Sequence, residues 1–349
     1  MRLEQRAHVP LALAVAAPVG AAIAALALCS LLLLWADASV ARAYGLMLEG
    51  ALGSRFAIAE TLARAAPLIL TGLAVAVAFR AKLWNIGAEG QLYAGALAAV
   101  AVAAQPVVDS AWLIVPLMLL AGAAAGAVLL IGPALLKLRL GVDEVVTTLL
   151  LNFIMLLFVG MMLEGPMQDP MSLGWPQSEP IADSAVLPPL LDKTRLHAGL
   201  LMALVAAVLV WFLMARTTLG FAIRATGANA GAARFAGLPV GRTVLATAAI
   251  SGALAGLAGV GEVAGLKGYV TQDLSPGYGY SGIVVAMLAQ LSPVGVVPAA
   301  LFIAAVFVGA DSMSRSLGVS SYLADLIVAT SLLTMLVAVL VSRYRIRRG

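Results

Sequence analysis

The fold is decided at residues 216–243, RTTLGFAIRATGANAGAARFAGLPVGRT, a stretch that interrupts a series of apolar segments of membrane length. It carries four arginines, and loops this basic stay on the cytoplasmic side of a membrane during insertion. Within it, Asn229 is a favoured helix N-cap and residues 230–236 favour helix. Gly237 suits the left-handed position after a helix, and Pro239 blocks continuation. The pattern predicts a short cytoplasmic helix, which needs a surface to dock on because it is too short to be stable alone in water.

The composition indicates a polytopic membrane protein. Of the 349 residues, 62% are hydrophobic and only 11% are charged, and the mean hydropathy is +1.04. A soluble domain of this length exposes more charge. We therefore expect contact with membrane lipid. No patch combines basic with aromatic residues, so we expect no nucleic acid partner. Because Cys29 is the only cysteine, an internal disulfide is excluded.

Ten apolar segments are assigned as crossings of the ~30 Å hydrocarbon layer, of which 91–106 is short and 270–291 is broken. The predicted fold class is an all-α polytopic membrane protein with some broken helices. These segments lie near residues 10–35, 57–79, 91–106, 111–136, 145–163, 198–214, 244–266, 270–291, 294–310 and 321–341. Ten crossings place both termini in the cytoplasm, where 14 of the 21 lysines and arginines then fall. We expect one transmembrane domain over residues 1–349, with a cytoplasmic loop at 215–243 and an external loop at 164–197.

A second informative stretch is residues 79–95, FRAKLWNIGAEGQLYAG, in which two glycines stand among the polar side chains of Asn85, Glu89 and Gln91. This composition predicts an interrupted helix, which membrane proteins contain only where it is buried in protein or lines water. Two interpretations are open. One is a packed break at the centre of the domain, in which Glu89 caps freed backbone N–H groups or contacts a polar ligand. The other is a simple cytoplasmic turn between two spans.

Residues 140–152, LGVDEVVTTLLLN, carry a polar stripe. Asp143 and Glu144 suit the first turn of a helix because carboxylates complement its N-terminal dipole. Thr148 and Asn152 follow Glu144 at four-residue spacing, so the three side chains share one helix face. Interhelical hydrogen bonding explains such a stripe, and a place in the lining of a translocation path is the alternative.

Two later stretches are rich in glycine. TAAISGALAGLAGVGEVAG, at residues 247–265, contains a GxxxG pair that predicts a closely packed helix at the centre of the bundle. GYVTQDLSPGYGYSGIVVAMLAQLSPVG, at residues 268–295, predicts a broken helix. Backbone groups released at such a break near the membrane midplane can coordinate a substrate, which makes Gln272 and Tyr278 candidates for the path.

These stretches together resemble one transporter family. RATGANAGAARFAGLPVGR resembles the cytoplasmic coupling loop of permease subunits in bacterial ATP-binding-cassette importers, in the branch that handles ribose-like sugars, nucleosides and branched-chain amino acids. NIGAEGQ resembles a motif of the nucleoside-type permeases in that family. Residues 140–152 look like its helix start after a cytoplasmic turn, and residues 268–295 are similar to its glycine-rich break. The resemblance covers most of the chain.

The resemblance implies a permease subunit in the bacterial inner membrane that forms the path for nucleosides or related simple sugars, with branched-chain amino acids or ribose-like sugars as alternative substrates. The implied partners are ATP-binding-cassette ATPase subunits, a second permease of the same or a different sequence, and an external solute-binding protein or lipoprotein. The implied ATPase-coupling residues are Asn229, Ala232, Ala233, Arg234, Phe235 and Gly237. The candidate path residues are Asn85, Glu89, Gln91, Asn152, Gln272 and Tyr278.

The chain lacks the sequence signatures of an enzyme. It contains no GxxxxGK[ST] phosphate loop and no GxSxG motif, and His8 and His197 are not spaced as HExxH. We therefore expect no catalytic residue, metal site or cofactor in this chain, with ATP and Mg²⁺ bound by the partner ATPase. A stand-alone secondary transporter, which also has broken helices and buried carboxylates, is the alternative function. It would leave the capped loop helix unexplained. A membrane channel or scaffold is a more remote alternative.

Overall fold

The computed structural model describes residues 2–5, 20, 23–24, 26–31, 33–35, 39–105, 110–318 and 320–347. These residues are helical apart from their connections and one antiparallel strand pair, β1 (Arg2–Gln5) with β2 (Tyr344–Arg347). The α-helices after residue 39 are α1 (Val40–Leu52), α2 (Arg55–Arg80), α3 (Ala88–Ala103), α4 (Ala111–Leu140), α5 (Glu144–Leu163), α6 (Gly199–Arg216), α7 (Thr218–Ala228), α8 (Ala230–Phe235), α9 (Val240–Glu262), α10 (Tyr278–Leu288), α11 (Pro293–Leu317) and α12 (Ser321–Arg343).

Within the described ranges, six helices are long and apolar enough to cross a membrane, and a bent pair makes up to seven. The six are α2, α4, α5, α6, α11 and α9 with its π-helical extension Val263–Lys267. The bent pair is Leu26–Trp35 with α1, at 117°. The prediction of ten spans is therefore not confirmed, and most of residues 10–25 of its first span lie outside the described part of the chain.

Two predicted spans are shorter than expected. The span predicted at 91–106 is α3, which begins earlier, at Ala88, and has 16 residues. The span predicted at 270–291 is helical only over the 11 residues of α10. Its first part is a loop because Gly277 adopts a left-handed conformation (φ +88°) and a new helix starts at Tyr278.

One compact unit consists of Met1–Thr61 and Leu301–Gly349. Its described core is formed by Cys29, Leu33, Ala43, Met313, Leu323 and Ile327. Here α1 lies directly against α11, since a Cβ at Gly309 would come within 2.7 Å of the Met47 carbonyl oxygen. Small residues permit this close approach of two helix backbones.

The second compact unit is Leu62–Ala300. Helices differ sharply in burial: 89% of the apolar window of α2 and 67% of that of α9 are buried, against 28% for α4 and for α5. The glycines of α9 explain its central place, because a Cβ at Gly252 would lie 2.3 Å from the Gly126 carbonyl oxygen and one at Gly259 would lie 1.9 Å from the Leu92 carbonyl oxygen. The prediction that the GxxxG helix packs at the centre is confirmed.

The connection between α5 and α6 is ordered by backbone pairing to the chain after α9. Ser178 N–H donates to the Val270 carbonyl (3.0 Å) and Ile181 N–H to the Gly268 carbonyl (2.8 Å). Two short 3₁₀ turns, Pro170–Ser172 and Asp183–Ala185, lie within this connection. This loop and the chain leading to α10 are therefore held together by backbone hydrogen bonds.

Candidate functional site

The segment between α2 and α3, residues 81–87, is not helical and yet largely buried. At its centre Asn85 is 0% exposed. The Asn85 amide nitrogen donates to Ser251 Oγ (3.0 Å) and Gln91 Oε1 (2.9 Å), while its Oδ1 accepts from Gly87 N–H (2.9 Å) and Gln91 Nε2 (2.9 Å). Asn85 therefore has partners for both its donor and its acceptor capacity. The segment is a packed break.

The polar stripe of α5 binds the backbone of this break. Its three side chains accept hydrogen bonds from three backbone N–H groups, two in the segment and one in the first turn of α3. The pairs are Glu144 Oε1 with Trp84 N (3.2 Å), Thr148 Oγ1 with Ile86 N (3.2 Å) and Asn152 Oδ1 with Gly90 N (2.8 Å). Asn152 also donates to the Ile86 carbonyl (2.8 Å). Because buried backbone polar groups need hydrogen-bond partners, the stripe makes the break possible. The prediction of interhelical hydrogen bonding is confirmed.

Glu89 lies in the first turn of α3 and reaches the N-terminus of α10. Its Oε2 accepts the N–H of Gly279 (2.6 Å), and the side chain is 3% exposed. A carboxylate at this place complements the helix dipole. A Cβ at Gly279 would lie 2.2 Å from the Glu89 backbone nitrogen, so the approach requires glycine. The predicted capping of backbone N–H groups by Glu89 is confirmed.

Sequence reasoning missed two hydroxyl side chains that hold the loop before α10. Tyr93 Oη donates to the Gln272 carbonyl (2.6 Å) and accepts from Ser275 N–H (3.2 Å). Ser275 Oγ accepts from Gly277 N–H (3.2 Å) and Tyr278 N–H (2.9 Å). A serine two or three residues before a helix start is a capping signal that could have identified Ser275. Tyr93 carries no such local signal.

Two further hydroxyls, also missed, tie α2 to the break and to α10. Ser251 Oγ donates to the Ala74 carbonyl (2.7 Å) while accepting from Asn85. Thr71 Oγ1 lies 3.0 Å from the Tyr278 carbonyl oxygen. The middle of α2, the break and the start of α10 are thus joined by side-chain hydrogen bonds inside the bundle.

The candidate path residues fall into two groups. Five are at most 3% exposed and surround the break and the start of α10: Asn85, Glu89, Gln91, Asn152 and Tyr278. The sixth, Gln272, is exposed and borders an open cavity of about 650 Å³ that Glu164 and Leu157 also line. Tyr280, which sequence reasoning missed, is 38% exposed, and its hydroxyl accepts from Asn152 Nδ2 (3.2 Å).

The short helix in the arginine-bearing stretch is α8. Asn229 Oδ1 accepts the N–H of Ala232 (3.0 Å), which is the N-cap contact that the sequence predicts. Gly237 adopts φ +83° and donates its N–H to the Arg234 carbonyl (3.0 Å). Both predicted ends of this helix are confirmed. The helix that precedes it, α7, was not predicted.

The surface of α8 is open. Of its six residues Ala230–Phe235, only Ala233 is buried, at 5% exposure. Phe235 is 96% exposed. The six predicted coupling residues therefore lie on one short helix and its caps, with a large aromatic side chain in the open.

Comparisons with known proteins agree on one class of membrane protein. Residues 57–341 match the family described as branched-chain amino acid transport system / permease component. The chain is 39% identical, over its whole length and 95% of the relative, to a glucose ABC transporter permease protein of Haloferax volcanii. It is 37% identical to a guanosine ABC transporter permease protein of Bacillus subtilis, over 90% of this chain and 91% of that one. It is 36% identical to a nucleoside ABC transporter permease protein of Lactococcus lactis, over 76% and 75%.

Proposed function

The chain belongs to the branched-chain amino acid transport system / permease component family, and we propose that it forms the membrane path of an importer for nucleosides or related simple sugars, driven by separate ATPase subunits. It is a multi-pass membrane protein and the permease subunit of an ATP-binding-cassette transporter, as the resemblance predicted. Relatives named for guanosine, nucleosides and glucose support this substrate class over branched-chain amino acids. Family membership also favours the importer over the stand-alone secondary transporter.

The observation that carries the proposal is the exposed, capped helix α8. A helix of six residues gains little stability from its own hydrogen bonds, and Phe235 at its end is 96% exposed. Aromatic side chains, phenylalanine among them, are enriched at the cores of protein–protein interfaces. We therefore assign Asn229–Gly237 as the surface on which the ATPase docks, with ATP and Mg²⁺ bound in that subunit and not in this chain.

The arrangement around this contact follows from charge. We assign the arginine-bearing stretch and both termini to the cytoplasm, because lysine and arginine concentrate in cytoplasmic loops. An even number of crossings, ten in this proposal, puts the two termini on the same side. The connection at residues 164–197 then faces outwards, where an external solute-binding protein delivers the solute. A second permease subunit completes the path, and lipid surrounds the apolar faces of α4 to α6. Residues 1–349 serve as one transmembrane domain in this proposal.

The candidate path residues divide by burial. Five of them support the wall of the path without contacting the solute, because their polar groups lie against neighbouring helices and loops: Asn85, Glu89, Gln91, Asn152 and Tyr278. Gln272 and Tyr280 are exposed and carry groups suited to hydroxyl-bearing solutes. Half-helix ends and interrupted backbone are typical of solute sites in transporters. In this arrangement Gln272 and Tyr280 contact the solute, and the others position the elements that carry them.

Reconstitution with the partner ATPase and solute-binding protein tests the proposal. Phe235→Ala should lower ATP-driven uptake of guanosine or glucose in proteoliposomes, because it weakens ATPase binding by about 2 kcal/mol, or roughly 30-fold. The matched control is Phe212→Ala on the apolar surface of α6, where Phe212 is 53% exposed, and its uptake should stay at the wild-type level. Uptake that proceeds without ATP in the wild-type protein would contradict the importer.

A further inference from the structure

Arg80, the last residue of α2, binds the far end of a different helix. Its Nε donates to the Leu291 carbonyl (3.1 Å) and its Nη2 lies 3.5 Å from the Gln290 carbonyl. These carbonyls belong to the turn that ends α10. Leu288 is the last residue of α10, so these two carbonyls lie just beyond the helix, at the end where a cation complements the helix dipole. The rigid guanidinium fork is suited to holding two such acceptors in one geometry.

The two turns that Arg80 joins have the same uncommon backbone. After α2, Leu83 N–H donates to the Ala78 carbonyl (3.0 Å), and after α10, Leu291 N–H donates to the Ala286 carbonyl (2.8 Å). Both bonds close a Schellman-type helix end. Glycine normally occupies the left-handed position of this motif, whereas Lys82 (φ 55°) and Gln290 (φ 54°) occupy it here.

These left-handed residues point to a functional constraint. Leu291 also has a positive φ, of 58°. Strained backbone of this kind persists only where the surroundings hold it, and it concentrates at functional elements. By contrast, the corresponding position after α8 is Gly237, which is not strained. The paired ends of α2 and α10 are therefore held by their surroundings, in which the Arg80 side chain takes part.

The same residue also touches the helix that leads to the docking surface. A Cβ at Gly227, in the last turn of α7, would lie 1.8 Å from the Arg80 carbonyl oxygen and 3.2 Å from the Ala81 Cα. Helix α7 thus rests with its backbone directly on the peptide of Arg80. One residue, Asn229, separates α7 from α8. A displacement of α8 therefore acts on α7 and on Arg80 through backbone contacts.

We propose that Arg80 is the positioning residue that carries movement of α8 to α10. Its carbonyl oxygen contacts α7 at Gly227, so a displacement of α7 also displaces Arg80. Its guanidinium binds the turn after α10, so that turn moves with it. The other end of α10 is held by Glu89 through Gly279, so a shift of α10 reaches the break. This inference rests on the proposed function, because it requires an ATPase that moves α8. It adds the residue that connects the docking surface to the path.

The measurement is the number of solute molecules imported per ATP hydrolysed by the full reconstituted complex, with guanosine or glucose as the probe. Arg80→Gln should lower this ratio by about tenfold, within the usual span of coupling between sites, while the ATPase still binds. Arg80→Lys should give an intermediate ratio because a lysine cannot form the fork. The matched control is Arg139→Gln, at an exposed arginine near the end of α4, and its ratio should equal the wild-type ratio.

Each outcome decides between the two proposals. A ratio for Arg80→Gln equal to that of Arg139→Gln would overturn the role of Arg80. If Arg80→Gln does not accumulate in the membrane, Arg80→Lys decides, and a wild-type ratio there would equally overturn it. A failure of the importer proposal is distinguishable, because uptake by the wild-type protein would then proceed without ATP, whatever residue stands at position 80.

Discussion

The break around Asn85 and the helix α8 both depart from the long apolar helices, and they are built in opposite ways. In the break, Asn85, Gln91 and Asn152 are at most 1% exposed, and their amides find partners within the chain. In α8, five of six residues are exposed, and Phe235 is almost fully so. The first is completed by its own chain, whereas the second presents a surface that a partner can cover.

Because of this contrast, substitutions in the two regions should change different measurable properties of the protein. Buried polar groups without partners are expensive, so a change in the break should act on the folding of this chain. An exposed helix contributes little to folding, so a change in α8 should act on binding. The following predictions test that division in order of expected size.

The largest effect is expected at the contact between α10 and α3. Gly279→Ala places a Cβ 2.2 Å from Glu89 N and 2.5 Å from its Cα. Because these are backbone atoms that cannot move independently, we expect the free energy of unfolding to fall by more than about 3 kcal/mol. Detergent-titrated unfolding measures it. The control is Gly132→Ala, where a Cβ would meet no atom within 4 Å and a gain of up to about 1 kcal/mol is expected.

Acid should destabilise the chain through His197. Burial lowers the pKa of His197 to about 4, against about 6.5 for an unfolded histidine. Folding therefore favours the neutral ring, and its contribution is present above pH 6.5 and lost as the pH falls to 4. The loss should reach about 3 kcal/mol. His197 Nδ1 accepts from Gly199 N–H (3.1 Å), so His197→Asn keeps an acceptor while removing the titration. Identical pH profiles for the two proteins would contradict the prediction.

Substitution in the polar stripe of α5 should lower the free energy of unfolding almost as much. Asn152→Leu leaves the Gly90 N–H and the Ile86 carbonyl without their side-chain partner. The free energy of unfolding should therefore fall by about 2 kcal/mol. Thr147 is the matched control, since within the described residues its hydroxyl bonds to carbonyls at the start of its own helix, those of Asp143 and Glu144. Thr147→Val should change the free energy of unfolding little. Equal losses in both variants would show that the stripe does not support the break.

The smallest effect is expected at the cap of α8. Asn229→Ala removes the acceptor for Ala232 N–H, which should cost about 1 kcal/mol of local stability. Hydrogen exchange at Ala232 should accelerate by about fivefold, while global unfolding stays unchanged. Asn229→Asp is the control because aspartate caps as well as asparagine. A lower free energy of global unfolding in Asn229→Ala would contradict the distinction between α8 and the segment around Asn85.

Prediction from sequence succeeded where the signal was local. Asn229, Gly237 and Pro239 each act within a few residues of α8, so both helix ends could be read directly. The existence of the break was also predictable, because glycines among polar residues weaken a helix wherever they occur. The side chains that satisfy it were only partly predictable. The stripe of α5 follows from four-residue spacing, but nothing local connects it to Trp84 or Gly90.

The number of spans could not be predicted because it depends on tertiary contacts. Hydropathy treats residues 270–291 as one apolar segment, yet the first part is a loop held by Tyr93 and Ser275. Tyr93 and Gln272 are 179 positions apart in the chain. Helices α1 and α7 were missed for a related reason, since neither is long and apolar enough to signal a membrane crossing. Only the packing of distant elements fixes these assignments.

Docking of the ATPase on α8 can be measured by site-directed photo-crosslinking. In a Cys29→Ala background, a cysteine replacing the exposed Ala232 is labelled with a benzophenone reagent in the complex with the ATPase. The same label on a cysteine replacing Asp192, exposed in the connection between α5 and α6, is the control. The account predicts a permease–ATPase adduct from position 232 and none from position 192. An adduct from position 192 with none from position 232 would contradict it.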